Sequence, residues 1–283
     1  MSIFEHIENK NMQQLVKCVE SGQDINQKHQ IYECTPLDRC CTFEWAQGMQ
    51  YLLSKGADPE IKNFRQKTPL YECCISKWKT GMQILLEHGV NTEACDYDGN
   101  TPLIECSDED GYPDGVKMLL SYNANVLNEN YWRWNAIKKT IIFNKSKKIF
   151  DLLLDRVDNI DDKKEGFTLL HLCCDRKFGE GIRSLLSKSA STSIRNRNND
   201  TALQDCFYHG YKEGAKLLIE NGADLSLKDS DGNSLGQIAI DQNHKHMLDL
   251  LEKRKRIKGV EKSVKKNQSK RVLNLRNKTV VLH

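Results

Sequence analysis

Eleven cysteines and eight histidines are the residues of this 283-residue chain best suited to chemistry. Thiols act as nucleophiles beside a histidine base, as zinc ligands or as disulfide partners, and each use has its own spacing. The adjacent pairs Cys40-Cys41, Cys73-Cys74 and Cys173-Cys174 lack the C-x-x-C spacing of a metal knuckle. His171 and Cys173 stand two apart, so on a helix they face different ways and make a poor catalytic pair. The chain carries no Gly-rich phosphate loop, no H-E-x-x-H and no nucleophile elbow. The expectation is a non-enzyme with no catalytic residue, no metal ligand and no cofactor.

What positions the thiols is a repeat. Thr35-Pro36-Leu37, Thr68-Pro69-Leu70, Thr101-Pro102-Leu103, Asn135-Ala136-Ile137, Thr168-Leu169-Leu170, Thr201-Ala202-Leu203 and Ser234-Leu235-Gly236 fall in register, at steps of 33, 33, 34, 33, 33 and 33 residues. A fixed period of that size marks a solenoid, in which each unit buries its apolar face only against its neighbours. Within a unit, the opening Thr, Asn or Ser can cap a first helix, and a following Pro fits its first turn. Seventeen residues on stands an apolar pair, at Leu52-Leu53, Leu85-Leu86, Leu152-Leu153, Leu185-Leu186 and Leu218-Ile219. Apolar partners three or four residues earlier make it the buried stripe of a second helix. Gly56, Gly89 and Gly222 end that helix, because glycine takes the left-handed C′ conformation cheaply. A turn follows, as in Asp98-Gly99-Asn100 and Asp231-Gly232-Asn233.

These motifs, matched here as TPLxxCC, LL and GAD, make the chain resemble the ankyrin-repeat family over roughly residues 1–255. The resemblance implies an all-α repeat solenoid whose unit is helix-turn-helix plus a β-hairpin loop. It also implies non-catalytic recognition of another protein along the concave face made by the loops and the first helices. About eight units would start near residues 1, 35, 68, 101, 135, 168, 201 and 234, with the solenoid spanning 1–256. The family's His after Thr-Pro-Leu survives only as His171. The fifth unit lacks both the Pro and the helix-ending Gly, with Ala136 and Arg156 in their places. The extra residue of the fourth unit is placed in the loop Ser107–Gly115. Eight cysteines (Cys40, Cys41, Cys73, Cys74, Cys106, Cys173, Cys174 and Cys206) fall five or six residues after a unit start. The family has Ala-Ala there, so Cys serves as a small apolar side chain in a reduced protein. Trp45, Trp78, Phe178, Tyr211 and His244 all stand ten residues after a unit start, a recurrence that predicts rings packed over the turn between the two helices.

The loop tips, or fingers, are not needed for stacking and so are free to vary. Reading them in order gives Tyr32, then Phe64 and Arg65, Tyr97, Tyr131 and Trp132, then the cations Lys163, Lys164, Arg195 and Arg197. Tyr, Trp and Arg on a solvent-facing surface concentrate binding energy. These ten residues are the expected partner-binding footprint, and the expected partner offers an apolar segment followed by an acidic one.

Mean hydropathy is −0.63 and no 18-residue apolar run could span a bilayer. The start MSIFEHIENK has no apolar signal region. A cytoplasmic, monomeric protein is expected. From Lys253 to His283 there are 12 Lys or Arg against one acid, Glu261, leaving 30 cations against 38 acids in residues 1–252. An acidic body thus carries a basic tail, with residues 257–283 read as disordered. Lys253-Arg254-Lys255-Arg256 reads as a nuclear import signal, a polyanion patch or a frayed helix end. The competing function is binding of nucleic acid or an anionic membrane through this tail.

Overall fold

A computed structural model of the chain describes residues 2–252. The tail, with Lys253, Arg254, Lys255, Arg256 and the boundary at 256, lies outside the described residues, as does Met1. The chain divides into two compact units, Met1–Ile160 and Asp161–His283.

The first unit is five helix pairs. They are α1 (Ile3–Glu8) with α2 (Met12–Glu20), α3 (Pro36–Thr42) with α4 (Ala46–Ser54), α5 (Pro69–Ile75) with α6 (Lys79–Glu87), α7 (Pro102–Cys106) with α8 (Pro113–Ser121), and α9 (Ala136–Lys139) with α10 (Lys147–Leu154). The first helices stack in the order α1, α3, α5, α7, α9, and the second helices stack in parallel order. The second unit pairs α11 (Leu169–Asp175) with α12 (Gly179–Ser187) and α13 (Ala202–Tyr208) with α14 (Lys212–Glu220). It closes on α15 (Leu235–Asp241) and helical residues 245–252. Here α11, α13 and α15 stack, and α12 packs on α14.

The sequence dictates each first helix from its cap. Ser2, Thr35, Thr68, Thr101, Asn135, Thr168, Thr201 and Ser234 each accept a hydrogen bond from the backbone N–H three residues on. Such a cap contributes about 1 kcal/mol. The helix stops within two turns because the next residue but one turns left-handed, as at Lys77, whose φ is 55°. The N–H of Trp78 then reaches back to the carbonyl of Cys73 at 2.9 Å, and Trp45 to Cys40 at 2.9 Å. The turn is closed without glycine at either site.

The rings do cover this turn, as their recurrence predicts: Trp45, Trp78 and Phe178 are buried. Their seat is a feature the periodicity alone does not disclose. Each ring lies on a glycine three residues later, in the pairs Trp45–Gly48, Trp78–Gly81, Phe178–Gly181 and Tyr211–Gly214. Tyr112 and Gly115 form the same pair in the fourth helix pair, where the added loop residue moves the ring one position out of register. At Gly81 a Cβ would stand 2.1 Å from Trp78 Cε3 and 2.7 Å from Cys73 Sγ. Cysteine, glycine and ring therefore pack as a trio, and the thiols behave as small apolar groups. Burial pushes those of Cys40, Cys41, Cys74, Cys173 and Cys174 above their ordinary value, away from the reactive thiolate.

The fifth pair departs from the sequence reading. After α9 the chain makes a π-helical turn, Thr140–Asn144, then a left-handed Lys145, so α10 begins one residue late. The buried leucines of α10 are Leu153 and Leu154, not the expected Leu152-Leu153. The residue gained in the π-turn is lost after the helix, where Arg156 replaces the left-handed glycine. The overall spacing of 33 hides both changes.

Gly81→Ala discriminates between two opposed effects. Removing a helical glycine stabilises by about 0.5–1 kcal/mol through the unfolded chain, whereas overpacking a core costs about 1–3 kcal/mol. With ring carbons only 2.1 Å away, the steric term prevails. Urea unfolding is expected to show a net loss of about 1–2 kcal/mol, and a gain would show the ring to be freely displaceable.

Candidate functional site

Each finger is built by one side chain. Asn63 Oδ1 accepts the N–H groups of Arg65 and Lys67 at 2.9 and 3.2 Å, while Asn63 N donates to the Lys67 carbonyl. Asp96, Asn130, Asn196 and Asp229 make the same pattern, accepting from residues two and four positions on. These fingers follow the course of a hairpin without a ladder. Among the described residues strand pairing is limited to the isolated bridges Lys164↔Phe167 and Arg195↔Thr201. The expected β-hairpins are thus turns, because five residues closed by an Asn or Asp side chain leave no length for strands. Lys163 occupies the equivalent position of its finger, cannot accept, and that finger is closed instead by the Lys164–Phe167 backbone pair.

Because the anchor does the folding, the next two residues point to solvent. In the first unit these are Phe64 with Arg65, Tyr97 with Asp98, and Tyr131 with Trp132. Tyr131 is 75% exposed, Tyr97 63% and Trp132 55%. Tyr32 is exposed as well, its ring stacked on His29 at 5.2 Å. The Arg65 guanidinium lies 5.2 Å over the Phe64 ring. Neighbouring fingers are tied by backbone bonds, Phe64 N to Tyr32 O at 3.4 Å and Tyr131 N to Asp98 O at 3.1 Å. Sequence reasoning missed one member of this surface. Phe143, displayed by the π-turn, is exposed and meets Trp134 edge-on at 5.2 Å, and Trp134 in turn lies 6.0 Å from Trp132. A π-turn has no period of its own and so leaves no signal in a single sequence.

In the second unit Lys163, Lys164 and Arg197 are exposed, and the Arg197 guanidinium lies 5.0 Å over the Phe167 ring. Arg195 is different. Its guanidinium donates to the carbonyl of Asn199 and, at 3.2 Å, to that of Lys228, bracing its own finger against the next.

Behind the fingertips of the first unit runs a line of carboxylates. Asn63 Nδ2 donates both to Asp38 Oδ2 at 3.4 Å and to Glu72 Oε1 at 2.8 Å. One step along, the Tyr71 hydroxyl lies 2.8 Å from Asp96 Oδ2 and 2.9 Å from Glu105 Oε2. Each pair of acids thus shares one neutral donor. Burial first, and then the Glu72 charge, push the Asp38 carboxyl up to about 7. Burial raises Glu105 too. In the second unit each donor serves a single acid, Asn196 Nδ2 on Asp205 and the Tyr208 hydroxyl on Asp229, and burial pushes Asp205 up to about 8.

His171, the surviving family histidine, is a structural residue. Its Nδ1 accepts the Thr168 N–H at 3.3 Å, so Nε2 carries the proton and donates to the Asp200 carbonyl at 3.2 Å. The ring ties the start of α11 to the next finger, and burial lowers its pKa.

Stacked helix pairs joined by projecting fingers define a helical-repeat protein. The family profile "Ankyrin repeats (3 copies)" matches residues 39–130 and 135–229, and the chain belongs to the ankyrin-repeat family. It is 24% identical over 140 residues to an ankyrin repeat protein, L371, of Acanthamoeba polyphaga mimivirus, covering 48% of this chain and 18% of that protein. It is 32% identical over 93 residues to the B-cell lymphoma 3 protein homolog of Mus musculus, covering 31% of this chain and 21% of that one. The chain therefore spans about a fifth of each of these relatives. Among solved structures, the ankyrin repeat domain of Bcl-3 superposes with a TM-score of 0.66 at 21% identity, over 73% of this chain and 94% of that domain. Ankyrin-repeat domains are in general modules of protein–protein interaction. No helix among the described residues is long and apolar enough to cross a membrane.

The raised Asp38 carboxyl gives a pH dependence of known sign. The folded protein holds this proton up to about pH 7, whereas the unfolded chain releases it near 3.8. The stability it contributes is complete below 3.8 and is lost as pH rises through 7. Asp38→Asn removes that loss. In urea unfolding the variant should gain on the parent by about 1–3 kcal/mol between pH 5 and pH 8. A difference that stays constant with pH would place the titrating group elsewhere.

Proposed function

We propose that this chain is a non-catalytic recognition module that holds a partner protein on its fingers and on the adjoining edges of the first helices. The observation that carries the reading is where apolar surface is left bare. Of eleven large apolar side chains exposed among the described residues, six (Ile31, Tyr32, Phe64, Tyr97, Tyr131 and Trp132) are at fingertips. A solvent-facing finger has no stacking reason to carry rings, and contiguous exposed aromatics mark interaction sites. In the first unit these rings, with Arg65, form an aromatic contact surface. In the second unit Lys163, Lys164 and Arg197 form a cationic one, which suits acidic side chains. Arg195 contributes by holding its finger in place, since its donors are already engaged by carbonyls.

Fingers also suit the energetics of binding. Their turns are pre-organised by the anchor side chains, so little conformational entropy is lost when a partner docks. The rings have few rotatable bonds, which reduces that cost further.

Bait proteins carrying Tyr131→Ala with Trp132→Ala, or Arg197→Glu, should unfold at the parental temperature, because these side chains are exposed. In affinity capture from a matched cell lysate read by mass spectrometry, the aromatic variant is expected to lose the partner at least tenfold. The charge variant should weaken binding and flatten its salt dependence. A partner retained equally by both baits refutes the fingers as the recognition surface.

A further inference from the structure

The first helix pair differs from the third at the place where its two helices meet. In the third pair the N–H of Trp78 reaches the Cys73 carbonyl, and Gly81 seats the ring. In the first pair the equivalent bond runs from Asn11 N to the His6 carbonyl at 2.8 Å. His6 therefore stands in the place of Cys73, Asn11 in that of Trp78 and Gln14 in that of Gly81. Three groups that pack are exchanged for three that hydrogen-bond, and the trio gives way to a cavity of about 650 Å³. It follows one face of α2 past Asn11, Gln14 and Ser21 and is bordered on the α1 side by His6 and Asn9.

A polar end to a stack of helices needs only exposed side chains in water. His6 exceeds that need, being 8% exposed, lining the cavity and making no hydrogen bond among the described residues. A buried polar ring in that condition is costly and calls for a partner. The groups around it are weighted toward donors. Lys17, which also lines the cavity, has no ion pair among the described residues, and the side-chain amide nitrogens of Asn11 and Gln14 donate to none of them. Asn11 Oδ1 is already taken by the Gln14 N–H at 3.2 Å. Asn9 Nδ2 and the Ser21 hydroxyl donate to the carbonyls of Glu5 and Cys18, each at 2.8 Å, so both present oxygens as acceptors. No carboxylate stands among the residues lining the cavity, and the first turn of α2 has no acid to offset the positive end of its dipole.

We infer that the first helix pair binds a small polar ligand through an oxyanion, either a phosphate monoester or a carboxylate. The oxyanion is held by the Lys17 ammonium, the His6 ring N–H and the Gln14 amide, a set in which the charge-assisted bond is the strongest. The cavity is roomier than an oxyanion alone requires and is of the size of small-molecule sites. The Asn9 and Ser21 oxygens suit hydroxyl groups on the body of the ligand. None of these residues belongs to the fingertip surface, so the site stands or falls independently of the reading of the fingers.

Glycerol phosphate, glycerate and neutral glycerol are titrated into the full chain at constant ionic strength. Binding is followed by calorimetry and by the imidazole NMR signals, the His6 signal being assigned by its absence from His6→Cys. We expect glycerol phosphate or glycerate to bind saturably and to shift the His6 signal, glycerol to do neither, and the tighter of the two anions to identify the oxyanion. Lys17→Gln should weaken binding at least about tenfold, the loss of one charge-assisted bond. His6→Cys, which supplies the residue type found there in the third pair, should weaken it similarly. Lys17 is exposed, so its variant is expected to unfold at the parental temperature and keeps the test decisive even where the His6 change disturbs α1. Absence of saturable binding by both anions, equal binding of glycerol, or binding indifferent to Lys17→Gln overturns the site.

Discussion

A helix of four to nine residues is too short to stand alone in water, since nucleation is costly and few bonds repay it. Everything in this chain follows from the need to bury such helices against the next pair and nothing else. The close approach of the two helices within a pair is set by the cysteine–glycine–ring trio, in which Gly81 leaves room for Trp78 and Cys73 fills the remaining gap. Larger residues at either small position would push the pair apart and, with it, every pair stacked beyond. Repeating the trio at Gly115, Gly181 and Gly214, and the ring–glycine pair at Gly48, keeps the geometry constant within each unit, so the fingers of a unit project at regular intervals.

That regularity frees the fingertips. The anchors Asn63, Asp96 and Asn130 satisfy the turn's N–H groups with a single side-chain oxygen, so the two residues beyond them carry no structural duty. Conformational restraint and chemical variety are thereby assigned to different residues of the same five-residue loop. The result is a rigid rack on which rings and charges can change without altering the stack, the usual logic of binding loops on a scaffold.

Much of this was legible in the sequence, and what was not has identifiable causes. The 33-residue period, the Thr, Asn and Ser caps, the buried Cys-Cys pairs and the exposed fingertip rings all rest on local chemistry repeated many times, which a single sequence records well. Gly48 and Gly81 were overlooked because a glycine inside a helix reads as a weak point until the ring it faces is known. The buried pair of α10 reads as Leu152-Leu153 instead of Leu153 and Leu154 because two opposite one-residue changes within the fifth pair cancel in the spacing. Arg195 reads as a free cation, but its orientation toward the Lys228 carbonyl depends on the next finger, 33 residues away. The carboxylate line was invisible for the same reason: Asp38 and Glu72 are 34 positions apart and meet only through Asn63.

The chain itself shows that those acids are not imposed by the fold. The helix position of Asp38 is filled by Ile104 in α7 and by His171 in α11, and both are comfortably buried. The position of Glu72 is filled by Leu172 in α11. An apolar or neutral residue therefore meets the packing demands of either site, without desolvated charge or a lone oxygen. Proteins retain local costs of this kind chiefly where function draws on them, and compensate elsewhere. Here the compensation is visible: one neutral donor is divided between two carboxylates, which tempers the repulsion while leaving both able to accept more.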